Sequence, residues 1–310
     1  MGEWARWVLA GPDPAACEMR ELLEICAANV NSRRHEKLLD KVRSADKDGV
    51  DSLLYELVAH ELLHRLQLKP EFWPTLGSEL TPDMTATVGG EQFIVDVFLV
   101  RNPSRTVKPF PCPGLIFPEG FQYTVDHGDR AKKIADRILE KHQKYAPTGK
   151  PMLLVVFLGD EWMQMSNVEE ALYGAAASDG WLQDDFPRLI VNFRKELVEE
   201  SVIVPKPGIL LPDENNQPGC PSLSAVLACD WFYTLNRADP SRRMRCVVLH
   251  HWKPDVPIPP GEFGQFAEVA WTAKSSGTYE QNIIRSPKVA ARFTGRNKLE
   301  FREYSEEHPW

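Results

Sequence analysis

The chain has 310 residues (35.2 kDa), 43% of them hydrophobic, which is enough to bury a substantial core. No run approaches the roughly eighteen apolar residues of a membrane span, and the start MGEWARWVLAGPDPAACEM lacks the basic and long apolar segments of a signal peptide, so a cytoplasmic protein that does not engage a membrane is expected. A net charge of -8 argues against a protein that coats nucleic acid non-specifically, while leaving room for a local basic groove.

From about Asp13 to Leu66 apolar residues recur at spacings of three and four, in MRELLEICAANV, HEKLLDKV and DSLLYELVAHELLHRL, a pattern that predicts helices. Asp51 or Ser52 is placed to cap the last of them, which ends near Gln67. Lys69-Pro70 and Trp73-Pro74 then break the helix. PEFWP, TPDMTATV and EQFIVDVFLV read as short strands, the last two joined at Gly89-Gly90 as a hairpin. From Arg101 to Gly128 the chain is rich in proline and glycine and reads as a long loop. A helix follows over about Asp129 to Tyr145, and then MLLVVFL, a continuous apolar run expected of a strand covered on both faces.

Beyond Gly159 the signals predict a helix near Val168 to Ala176, strands at RLIVNF, SLSAVLACDWF and RMRCVVLHHW, and a helix near Glu262 to Thr272. The tail gathers Arg285, Lys288, Arg292, Arg296, Lys298 and Arg302 against one acidic residue, Glu300. There is no internal repeat and no clean linker. Three regions are expected: 1–50, an N-terminal helical segment; 51–176, an α/β core; and 177–310, a C-terminal α/β extension packed on the same domain. The six cysteines are dispersed with no C-x-x-C, so they read as reduced thiols.

Two constellations could carry chemistry. The first is His60-Glu61-Leu62-Leu63-His64, an H-E-x-x-H pattern. On a helix its two imidazoles lie one turn apart and could hold Zn²⁺ while Glu61 polarises a bound water. No H-x-x-G-x-x-H continuation follows, and the candidate third ligands Glu71 and Glu79 fall in strand or loop. Arg65 also places a cation beside His64. The competing reading makes His60 and His64 boundary residues flanking the stripe Leu57, Leu62, Leu63 and Leu66.

The second constellation joins Glu56 on the helix, Asp83 after Pro82, and Asp96 in Ile94-Val95-Asp96-Val97-Phe98. Three carboxylates from a helix and two paired strands suit Mg²⁺ or Mn²⁺, hard ions that prefer oxygen. Asp96 stands between apolar residues, and on an inward face it needs a metal, a partner or hydrogen bonds. Glu56 and Glu61 point about 140° apart around the helix, so they cannot serve one site.

The order YELVAHELLHRL, TPDM, FIVDVF, KIADRILEKHQKY and KPMLLVV resembles the PD-(D/E)XK nuclease superfamily, over about residues 50 to 160. The resemblance implies a restriction-endonuclease-like α/β core: helix, three strands, helix, strand, with a mixed central sheet flanked by helices. It further implies a metal-dependent nuclease hydrolysing phosphodiester bonds, with Mg²⁺ or Mn²⁺ held by Asp83, Asp96, Glu56 and the backbone carbonyl of Val97. The motif lysine falls on Phe98, which cannot stabilise charge on a phosphate. The superfamily's pattern of lysine migration to the following helix makes Lys133 and Lys141 the candidates to replace it, and after them Lys108. Nucleic acid, DNA ahead of RNA, is the expected partner, contacted by the basic tail and by Arg242, Arg243 and Arg245, and a homo-oligomer remains open. The alternatives are a catalytically silent nuclease fold that binds nucleic acid or a protein, and a zinc hydrolase built on His60, Glu61 and His64.

Overall fold

The computed structural model describes residue 6 and residues 10–12, 14–44, 47–74, 80–100, 127–158, 165–174, 208–211, 217–230, 243–264, 266–273, 279–285, 289–294 and 298–303. Three helices come first: α1 (Pro14–Ala27), α2 (His35–Ser44) behind a 3-10 turn at Ser32–Arg34, and α3 (Lys47–Arg65). Then follow β1 (Glu71–Phe72), β2 (Met84–Val88), β3 (Glu91–Val100), α4 (His127–Tyr145), β4 (Met152–Leu158) and α5 (Met165–Tyr173). The remaining elements among the described residues are strands: β5 (Leu223–Asp230), β6 (Arg243–His250), β7 (Ala267–Ala273), β8 (Tyr279–Arg285), β9 (Val289–Thr294) and β10 (Lys298–Glu303).

All ten strands belong to one mixed sheet, ordered β1 to β8, with β9 pairing β6 and β10. Gly89 and Gly90, at φ +57° and +89°, make the turn that returns β3 antiparallel to β2, with Met84 opposite Val95. The crossover through α4 brings β4 in parallel to β3, and β5 continues parallel to β4. Every residue of β4 is fully buried, as its unbroken apolar run predicts for a strand with helices on both faces. Alternation along β3 sorts its side chains between two cores. Val95 and Val97 face α3 together with Leu153, Val155 and Phe157, while Ile94 and Phe98 face α4 and α5 with Leu154 and Val156. This parity places residue 96 on the α4 side, the same side as Phe98.

Several local expectations are corrected. Helix α3 starts at Lys47, so Asp51 and Ser52 lie inside it rather than at its N-terminal boundary. It ends at Arg65, and Gln67 and Lys69 leave it with φ of 62° and 47°. Helix α5 stops at Tyr173 because Gly174, at φ 89°, turns the chain. The helix expected near Glu262 to Thr272 is instead the strand β7: β6 and β8 claim its backbone on both edges, and ladder pairing overrides a local helical period. Parts of the basic tail form β9, β10 and the end of β8. RLIVNF and the loop from 101 to 126, with Lys108, lie outside the described residues. Among the described residues no helix is long and apolar enough to cross a membrane.

A side chain at Gly89 would meet Pro259 at 3.3 Å as well as strain the turn, whereas Gly90 has open space around it. Gly89→Val should therefore lower unfolding stability by about 2 kcal/mol and Gly90→Asn by less than about 1 kcal/mol, read from urea midpoints.

Candidate active site

Strand β2 begins at Met84, so the edge of β3 beyond Val95 loses its ladder partner. Asp83 closes this gap: its Oδ2 accepts the Val97 N–H at 2.8 Å, substituting a side chain for a strand. A strand residue turns its N–H and C=O to the same edge, so the Val97 carbonyl leaves β3 on the Asp83 side. The Asp83 carbonyl in turn accepts the N–H of Trp73, a residue held at the positive φ of 44°.

Asp96, two ladder positions from Ile94 on the α4 face, is only 1% exposed. Helix α4 meets it with two side chains one turn apart. The Tyr145 hydroxyl donates to Oδ2 at 2.6 Å, and the Lys141 amine sits 2.7 Å from Oδ1 as an ion pair off the hydrogen-bond direction. Lys133 lies two turns earlier, about 12 Å along the axis, so of the two lysines expected on this helix Lys141 makes the contact. Glu56, on α3, is buried, and its Oε2 stands 3.3 Å from the amine of Lys41 on α2.

The three carboxylates feel one another. Burial first, then the charges of Asp96 and Glu56, push Asp83 up to about 8, against the pull of the Val97 N–H and Lys141. Burial also raises Glu56, opposed chiefly by Lys41. Tyr145 is held well above its ordinary value by burial and by Asp96. At neutral pH the group therefore holds a proton on Asp83 and two lysines against its remaining charge. Among the described residues, no three His, Cys, Asp or Glu side chains close on a point as a metal-ligand set. The donors nonetheless suit a hard divalent cation in kind, since all are oxygens and their mutual repulsion is what a cation would relieve.

The H-E-x-x-H residues are engaged otherwise. Glu61 is fully buried between the Arg65 guanidinium and the Asn29 amide, each at 2.7 Å. His60 stacks on Phe72 at 4.5 Å, and burial lowers it to about 4, so it stays neutral. The His60 and His64 rings lie parallel, 6.4 Å apart. Glu71 is exposed on β1 beside Arg34, and Glu79 lies outside the described residues.

No family model matches the chain. Neither does any curated protein or solved structure.

Of the basic residues expected to meet phosphate, Arg242, Lys288 and Arg296 lie outside the described residues. Arg243 and Arg245 begin β6, where Arg243 pairs with Arg292 of β9. Arg245 is three strands and four residues from the Asp96 row, roughly 20 Å by sheet spacing. Tyr145, Lys41 and Trp73 were not singled out by the sequence. Tyr145 was detectable as the residue one turn beyond Lys141, whereas Lys41 reaches Glu56 only through the packing of α2 on α3.

Two outcomes test this arrangement. Lys141→Met strands a buried carboxylate and should cost about 3–5 kcal/mol, while Tyr145→Phe should cost about 1–2 kcal/mol, both read by denaturant unfolding. Asp83 has a folded pKa above its unfolded value, so the folded state binds the extra proton and loses stability as pH climbs from about 4 toward 8. Asp83→Asn keeps an acceptor for Val97 and removes that loss. Its stabilising effect should be at least about 1 kcal/mol larger at pH 8 than at pH 5.

Proposed function

We propose that the chain is a metal-dependent nuclease of the PD-(D/E)XK type, with Asp83, Asp96 and Glu56 as its acidic residues and Lys141 in place of the motif lysine. The observation that carries this reading is the Lys141 amine 2.7 Å from Asp96: a cation arrives from α4 where Phe98 supplies none. The α/β architecture, with a helix, a hairpin, a crossover helix and a parallel strand in the expected order, also supports it.

In this reading Asp83, Asp96, Glu56 and the Val97 carbonyl would hold Mg²⁺ or Mn²⁺. Bound there, the ion would supply an activated water and neutralise phosphate charge. The protein's own groups prepare the ground. Tyr145 fixes the rotamer of Asp96, and the Val97 N–H fixes that of Asp83, so two of the three carboxylates are held in place by the fold. Lys141, 19% exposed at its side chain, keeps a positive charge beside Asp96 and open to an incoming phosphate. Asp83 would give up its proton where a cation shared the negative charge of the group.

The zinc alternative has weaker support, because Glu61 is fully buried and its two carboxylate oxygens are engaged by Arg65 and Asn29. A silent nuclease fold differs from the proposal only in turnover, which one experiment decides. Plasmid, single-stranded DNA and RNA incubated with Mg²⁺ or Mn²⁺ should be cleaved, with losses of about 100-fold or more for Asp96→Asn and for Lys141→Met, and partial recovery in Lys141→Arg. Absence of cleavage with both metals, or cleavage indifferent to Asp96→Asn, refutes the reading.

A further inference from the structure

Arg34, Lys37 and Lys41 run from the 3-10 turn through α2 at separations of three and four, which places them on one helical face. The row ends at the carboxylates, since the Lys41 amine is 3.3 Å from Glu56. Lys37 and Lys41 also stand over the same indole, 4.8 and 4.3 Å from the Trp73 centroid. That indole belongs to the residue whose main chain is tied to Asp83, so the platform under the two ammonium groups is anchored to the acidic site. Among the described residues Arg34 meets one acidic side chain, Glu71, loosely at 3.9 Å. Lys37 is exposed, and Arg34 and Lys41 are partly so.

Three cations held this close repel one another, and the Lys37 amine is lowered by burial and then by Lys41 and Arg34. Only the ends of the row meet carboxylates of the protein among the described residues, Glu71 at 3.9 Å from Arg34 and Glu56 at 3.3 Å from Lys41, so the row as a whole suits a polyanion that can bridge all three cations. We propose that Arg34, Lys37 and Lys41 form the strip on which a nucleic-acid strand lays its phosphates as it enters the carboxylate site. The inference rests on the nuclease reading and gives it a substrate class: a phosphodiester backbone gripped by charge, with the bases left unread. It also moves the expected phosphate contacts from Arg245, roughly 20 Å from the Asp96 row by sheet spacing, to the helix beside the site.

The test uses the full chain in EDTA, titrated into fluorescein-labelled single-stranded and duplex DNA and RNA, with anisotropy read at several salt concentrations. Arg34→Gln and Lys37→Gln should each weaken binding several-fold, and the double variant should reduce the salt slope by about two contacts. Lys37→Arg should restore binding, and Arg137→Gln, an exposed charge paired with Glu140 on α4, should leave it unchanged. The strip is refuted if the double variant binds as the unaltered chain does, or if the unaltered chain binds no oligonucleotide, whether or not it binds anionic vesicles. Cleavage separates the two claims. Binding that follows the strip without Asp96-dependent cleavage removes the nuclease reading alone, and cleavage with binding indifferent to the double variant removes the strip alone.

Discussion

A carboxylate sealed between a sheet and a helix is the constraint from which the rest of this structure follows. Asp96 sits in the middle of β3 with apolar neighbours in sequence and across the ladder, and without compensation its charge would cost several kcal/mol. The compensation comes from α4, which must lie on the sheet in the one register that delivers Lys141 and Tyr145 together. Ile134 and Ile138 on the same helix bury against the sheet, so apolar packing and ionic pairing demand the same placement. The site is thus part of the mechanism that seats the helix.

Around Asp96 the charges are balanced by residues from separate elements. Lys141 comes from α4, Lys41 from α2 and the Val97 N–H from β3 itself, while Asp83 offsets its own charge with a proton. This balance belongs to the resting protein. In the proposed reading, a divalent cation and a phosphate replace the proton and draw on the same lysines, so the charges that stabilise the fold are also those that respond to substrate.

How much of this the sequence disclosed depended on whether a feature is local. Helix α3, the Gly89-Gly90 hairpin, α4 and β4 were legible because period and turn chemistry lie within a few residues of one another. Asp83 and Asp96 were legible because the hairpin register brings them together. Glu56 could be named as a third carboxylate on the helix, but its place depends on how α3 crosses the sheet, which the sequence does not give. Lys141 could be named but not separated from Lys133, because both occupy α4 and only the helix's seating chooses between them. Lys41 was invisible, being joined to Glu56 by packing between two helices. Strand β7 was misread because its local period suits a helix, whereas ladder pairing with β6 and β8 is what makes it a strand, and of the two histidines noticed for their spacing only His60 stacks on Phe72, His64 lying parallel to it 6.4 Å away.

The pairing of β4 with β5 crosses a stretch of more than sixty residues and joins the half of the chain that carries Asp83 and Asp96 to the strands that follow. Six register pairs link these two strands, and without β5 the fully buried β4 would present a bare row of amides and carbonyls along an apolar edge. Such an edge is a template for joining other chains. The C-terminal strands are therefore a lid on the sheet's own adhesiveness. Whatever else they contribute, they cover the edge of the sheet beside the half that carries Asp83, Asp96 and Lys141.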